Sequence, residues 1–162
     1  MNLYLAGPDV FRPDAQSWAT EVRDLCRDYG HQALVPLDGD RIAAAAIFRS
    51  NLRLIEQAEV VLANLTPFRG AEPDSGTCVE VGYALALGKR VVGYAESLCA
   101  VRERVQARYM DGCYRDERGW LVEDFALPFN LMLAVPLEMV RGGILECLRY
   151  LQSASSRAAV AY

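Results

Sequence analysis

One histidine, His31, and no CxxC pair occur in the 162 residues of this chain. A zinc centre needs grouped nitrogen and sulfur ligands, so none is expected. The five cysteines, Cys26, Cys78, Cys99, Cys113 and Cys147, are odd in number and scattered, which reads as reduced thiols in a cytoplasmic protein. Ser-His-Asp catalysis lacks a credible histidine, and Cys78 has no base near it in sequence. No apolar run reaches the length of a membrane span, and the opening "MNLYLAGPDVF" has no basic leader, so neither a membrane segment nor a secretion signal is expected. The net charge of −4 lacks the positive excess that a binder of nucleic acid polymer wants; it leaves open a small nucleic-acid building block. Neither GxxxxGK[ST] nor GxGxxG is present. The glycines in "AGP" and "FRGAEPDSGT" are accompanied by Pro8 and Pro73, which remove backbone donors, and by Asp9, Glu72 and Asp74, which repel a phosphate; only Arg69 and the amides of Ser75 to Thr77 favour an anion there. Asp9, Asp38 and Asp74 match no specific magnesium spacing.

What is present is an alternation of short apolar runs with helical periodicity. Asn2–Ala6 reads as a strand stopped by Gly7-Pro8, Ala15–Tyr29 as a helix with Trp18, Val22, Leu25 and Tyr29 on one face, and Ala33–Val35 as a second strand. Arg41–Gln57 reads as a helix, Glu59–Leu65 as a buried strand, Thr77–Leu87 as a helix ended by Gly88, and Arg90–Tyr94 as a fourth strand. Val101–Met110 reads as helical, Asp111–Trp120 as a surface excursion, and Pro136–Gln152 as the closing helix; 122–134 is ambiguous. This predicts one α/β domain over 1–152, with a parallel sheet covered by helices on both faces, and a loose tail over 153–162. Ligands of such sheets bind beyond the carboxyl ends of the strands, which selects the loops at 7–13, 37–40 and 66–76.

These loops offer carboxylates. Asp74 and Glu80 lie six positions apart across a loop-to-helix junction. One carboxylate as nucleophile and a second as proton carrier is the pattern of retaining glycosyl transfer, and helix amides favour the ionised nucleophile. The small residues Gly82, Ala84 and Ala86 leave Glu80 poorly shielded. A structural reading competes: Thr77 and Glu80 have the form of a capping box, and Asp74 is itself a good cap. Spacing alone favours the cap. By default Tyr4 is a core residue, Asp38 a turn residue, Asn51 a solvated or capping side chain, and Asn130 a satisfier of loop backbone. Phe11 and Phe68 suit loop anchors or lids over a flat ring.

The blocks "YLAGPDVF", "AEVVLANLTPFRGAEPDSGTCVEVGYALALGKRVVGY" and "DFALPFNLMLA" resemble, in this order over Tyr4 to Ala134, the nucleoside 2-deoxyribosyltransferases. The resemblance implies a flavodoxin-like (Rossmann-like) five-stranded parallel sheet and exchange of the base of a 2′-deoxynucleoside, with retention, through a covalent deoxyribosyl-glutamate. Glu80 falls on the nucleophile, Asp74 on the acid that serves the base, and Tyr4 on the tyrosine that orients the nucleophile. Gly7, Phe11, Asp38, Asn51 and Phe68 are then expected to bind substrate. Asn130 matches a residue that reaches the sugar in a neighbouring subunit, which implies a homo-oligomer built from dimers, up to a hexamer. Many members carry aspartate where this chain has Asn51; an amide cannot donate the proton, although it offers both a donor and an acceptor. No metal or organic cofactor is implied. The partners implied are a 2′-deoxynucleoside and a free base, with no nucleic acid polymer and no membrane. The alternative activities are an N-glycosidase acting on 2′-deoxynucleosides or their 5′-monophosphates, and a non-catalytic nucleoside-binding module.

Overall fold

The computed structural model describes residues 1–37 and 43–159, with side chains to residue 154. Its strands are β1 (Asn2–Ala6), β2 (Gln32–Leu34), β3 (Val60–Asn64), β4 (Arg90–Ala95), β5 (Ala107–Met110), β6 (Cys113–Asp116), β7 (Leu121–Val122) and β8 (Glu138–Arg141). Its helices are α1 (Ala15–Asp28), α2 (Ala44–Gln57), α3 (Ser75–Ala86), α4 (Val101–Arg104), α5 (Leu131–Ala134) and α6 (Ile144–Ala159). Five strands pair in parallel in the order β2-β1-β3-β4-β8, the flavodoxin-like arrangement. The order reverses between β1 and β3, which opens a crevice beyond their carboxyl ends.

Alternation along the strands assigns each side chain to a face. From β1, Leu3 and Leu5 join the core under α1 and α6 with Val22, Leu62, Val92 and Leu148. Tyr4 and Ala6 join the opposite core with Ile55, Val61, Val81 and Ala84, on the side of α2 and α3. Tyr4 is therefore buried among the residues that hold those two helices against the sheet. The edge strand β8 is tied to β4 by a bidentate pair, Arg90 to Glu138, at 2.8 and 2.7 Å.

Three elements differ from the sequence reading. The closing helix does not begin at Pro136: residues 138–141 are β8, the fifth strand of the parallel sheet, and α6 starts after Gly142, whose φ is 122°. Leu137, Val140 and Ile144 have helical spacing, and the four-residue strand Glu138–Arg141, charged at both ends, is too short to write a strand period of its own. The helix expected over 101–110 stops at Arg104. Its guanidinium donates to the carbonyls of Cys99, Ala71 and Pro128 and lies over the Phe129 ring, and the chain then enters β5. The supposed excursion is an ordered antiparallel sheet, β5-β6-β7. Its first hairpin turns on Asp111-Gly112, with φ of 49° and 81°, the positive values that a two-residue hairpin loop demands. The dipeptide Asp-Gly was the legible signal. At the chain's end, α6 continues as helix to Ala159, beyond the Gln152 boundary read from the pattern.

Candidate active site

Helix α3 starts earlier than its sequence suggests. Its cap is Asp74, whose Oδ2 accepts from the Thr77 amide at 2.9 Å and from the Thr77 hydroxyl at 3.1 Å. Thr77 is thus inside the first turn, and the capping box read between Thr77 and Glu80 does not form. Glu80, on the second turn, is free of any capping duty.

Its carboxylate instead points toward the sheet. The Tyr4 hydroxyl donates to Oε1 at 2.6 Å, and Nδ2 of Asn51, from α2, donates to the same oxygen at 3.2 Å. Oε2 has no hydrogen-bond partner among the described residues. Burial dominates the electrostatics: it pushes the Glu80 carboxyl up to about 7, against the lowering effect of the Tyr4 and Asn51 hydrogen bonds, and the nearby charge of Asp74 raises it further. The expectation of a poorly shielded carboxylate kept charged by helix amides is therefore corrected. Of the small residues Gly82, Ala84 and Ala86 of α3 only Ala84 is buried in the core, while Gly82 and Ala86 are exposed; Glu80 loses water where Tyr4 of β1 and Asn51 of α2 close on it. Burial and the Glu80 charge also raise the Tyr4 phenol well above its ordinary range, so it stays a neutral donor.

Glu80 opens into a cavity of about 400 Å³ at the crevice between the strand ends. Asp74, Asn51 and Thr77 line it with Glu80, and Val10, Phe11, Leu37 and Ile47 give it apolar walls. Gly7 also lines the cavity; a Cβ there would lie 2.8 Å from Asn64 Cβ and from Asp9 Oδ2, so the loop can pass only without a side chain. Asn64 donates to Asp9 at 2.8 Å and accepts from the Thr66 amide, which joins the first and third loops. At the rim, Phe11 stacks on Phe68 with centroids 5.7 Å apart, and the Arg69 guanidinium lies over both rings. Ser50 and Ile47, the unforeseen lining residues of α2, were legible only through Asn51: they sit one and four positions before it, on adjoining parts of the same helix surface.

A family model described as nucleoside 2-deoxyribosyltransferase matches residues 3–132. The chain belongs to the nucleoside 2-deoxyribosyltransferase family. A 2-desoxiribosyltransferase from Leishmania mexicana is similar in structure, with TM-score 0.79 and 32% identity, covering 93% of this chain and 97% of that one. A 2-deoxyribosyltransferase from Bacillus psychrosaccharolyticus (TM-score 0.56, 19% identity, 88% of this chain and 87% of that one) shares the fold alone. So does a CMP N-glycosidase from Clostridium botulinum (TM-score 0.53, 13% identity, 94% of this chain and 99% of that one). An uncharacterized protein of Schizosaccharomyces pombe is 34% identical over 115 residues, 65% of this chain; the chain spans about half, 54%, of that relative's length.

Within this deoxyribosyltransferase scaffold, Tyr4, Gly7, Phe11, Asn51, Asp74 and Glu80 come together at one cavity or directly against it, with Phe68 stacked at its rim. Asp38 lies outside the described residues. Asn130 does not join them. It caps α5 through the Met132 amide, donates to Glu123 at 2.5 Å, and lines a separate cavity with Trp120 and Leu121. No described helix is long and apolar enough to cross a membrane.

Proposed function

We propose that the protein transfers a 2-deoxyribosyl group between nucleobases with retention, through a covalent ester on Glu80. The observation that carries the reading is the one-sided hydrogen bonding of that carboxylate. Tyr4 and Asn51 both hold Oε1, and Oε2, without a donor among the described residues, keeps its lone pairs for attack at C1′. Desolvation in a cavity with apolar walls leaves that oxygen more nucleophilic than a hydrated carboxylate.

Attack of Oε2 forms the C1′–O ester bond and breaks the glycosidic C–N bond, whose electron pair leaves with the base nitrogen. Asp74 stands across the cavity with one oxygen committed to the helix cap; its other oxygen is the carrier of the proton that the departing base takes up. A second base then binds in the vacated space. Its nitrogen attacks C1′ from the face opposite Glu80, the ester breaks, Glu80 returns as a carboxylate, and the base's proton passes back to Asp74. Two inversions give net retention. The Phe11–Phe68 pair at the rim suits a flat heterocycle. Arg12, the cation of the first loop, is held by Asp14 through two contacts of 2.9 Å, which favours a nucleoside over a 5′-monophosphate.

Incubation with deoxyinosine and free adenine, followed by chromatography of bases and nucleosides, tests the reading. Transfer makes deoxyadenosine. Release of hypoxanthine and deoxyribose without deoxyadenosine would instead establish an N-glycosidase, and no turnover a binding module. An adduct of one deoxyribosyl unit on Glu80, seen by mass spectrometry after mixing with deoxynucleoside alone, identifies the intermediate.

A further inference from the structure

Asn51 occupies a costly position. Its Nδ2 donates to Glu80 Oε1 at 3.2 Å, and its own Oδ1 is buried with no partner among the described residues. A buried acceptor left unmatched is unfavourable, and an amide retained only for packing would turn or move to satisfy both ends. The opposite orientation of the amide would set its oxygen against the Glu80 oxygen at that same separation, two acceptors facing one another whenever the carboxylate is charged. The contact with Glu80 therefore decides which way the amide faces, and the orphaned oxygen is its consequence.

We propose that Asn51 is a positioning residue for Glu80: its amide N–H holds Oε1, so that Oε2 is the oxygen presented for reaction, and favours the charged carboxylate, which a carboxyl at position 51 would oppose. The proposal rests on the nucleophilic role given to Glu80 above. The titratable groups that bear on Glu80 are Tyr4, from β1, and Asp74, at the cap of its own helix. Among the described residues Tyr4 donates, Asp74 adds negative charge, and α2 contributes the neutral Asn51. The sheet thus supplies one neutral donor and α2 the other, both to a single oxygen. An aspartate at position 51 would place a second carboxylate in contact with the first, and two such groups hold one proton between them near neutral pH. The nucleophile would then be partly quenched by the neighbour meant to support it. In this chain proton delivery to the base and support of the nucleophile are consequently divided between two residues, Asp74 for the first and Asn51 for the second.

The test is the titration of Glu80 itself, followed by carbon NMR of side-chain carboxyls in protein labelled at glutamate, with the Glu80 signal assigned by its loss in Glu80→Gln. The wild-type midpoint is expected at about 7. In Asn51→Asp and in Asn51→Leu it is expected to rise, by about one unit or more in the aspartate variant, while circular dichroism stays native. The acid limb of kcat moves by the same amount, with KM changed much less. A midpoint that is unchanged or lowered in a folded variant overturns the proposal. Either variant alone decides it if the other fails to fold. Because the titration needs no turnover, it reads the role of Asn51 even if the wild type proves to transfer nothing, an outcome that would instead count against the transferase reading.

Discussion

Tyr4 and Glu80 meet at 2.6 Å although 76 positions separate them in the chain. Strand alternation turns Tyr4 toward α3, and the phenol is too desolvated to ionise. It acts as a fixed neutral donor. Tyr4→Phe keeps the ring that fills the core and removes only this bond. A hydrogen bond to a charged group contributes about 1.5–3 kcal/mol, so kcat is expected to fall about 10- to 100-fold, with KM within a few-fold of wild type. Steady-state kinetics of base exchange check this; an unaltered kcat would show that Tyr4 has no part in aligning the nucleophile.

Glu80 should be a measurable burden on stability. Its carboxyl is raised from an ordinary 4.5 to about 7 by burial. Between those values the folded protein binds more protons at this group than the unfolded chain, so stability falls as pH rises. The favourable contribution is fully present below pH 4.5 and is lost as pH climbs through 7. Glu80→Gln stays neutral throughout. It is expected to match wild type at pH 4 and to exceed it at pH 8 by up to roughly 3 kcal/mol, while losing transfer activity. Denaturant melts at the two pH values test this, and an equal difference at both would sink it.

Asp74 carries two duties that substitution can separate. Asp74→Asn retains an oxygen for the Thr77 amide and hydroxyl, so thermal stability should hold near wild type while exchange activity falls with the lost proton carrier. Asp74→Ala loses the cap as well, at a cost of about 1 kcal/mol. Thermal melts and exchange rates of the pair distinguish the roles; equal destabilisation of both variants would mean that the cap needs the charge.

The sheet was legible where elements are long or strictly alternating. β1, β3, β4, α1 and α3 stand within a few residues of their predicted bounds, because buried strands and amphipathic helices write their period into the chain. β8 was hidden because it is four residues long and charged at both ends, and because Leu137 and Val140 fall in helical spacing with Ile144 of α6. The β5-β6-β7 sheet was hidden because its strands are short and polar, and only Asp111-Gly112 betrays it. In the site, the spacing of Asp74 and Glu80 pointed to carboxylate chemistry but not to its electrostatics. Local order suggested helix amides as the dominant influence on Glu80; the dominant influence is burial under β1 and α2, which arises from packing between distant segments. The capping role was left open between Asp74 and Thr77, both good caps, and only the backbone of Asp74, with φ −59° and ψ 132°, chooses between them.

Asn130 stands apart from Glu80, beside Trp120 (73% exposed) and close in sequence to Met132 (72% exposed). Large apolar side chains left exposed on the same part of a surface are a mark of an interface, which fits self-association that brings this region to a neighbour's cavity. A mixing experiment tests the sharing. Glu80→Ala and Asn130→Ser should each be inactive, and the serine retains an oxygen to cap α5. Dissociated and reassociated together in equal amounts, random dimers are expected to recover about a quarter of native activity, since half the dimers are hybrids with one intact site each. That site pairs Glu80 of one copy with Asn130 of the other. If Asn130 serves its own chain, every hybrid site lacks one of the two residues and the mixture remains inactive, with the oligomer confirmed by sedimentation in both cases.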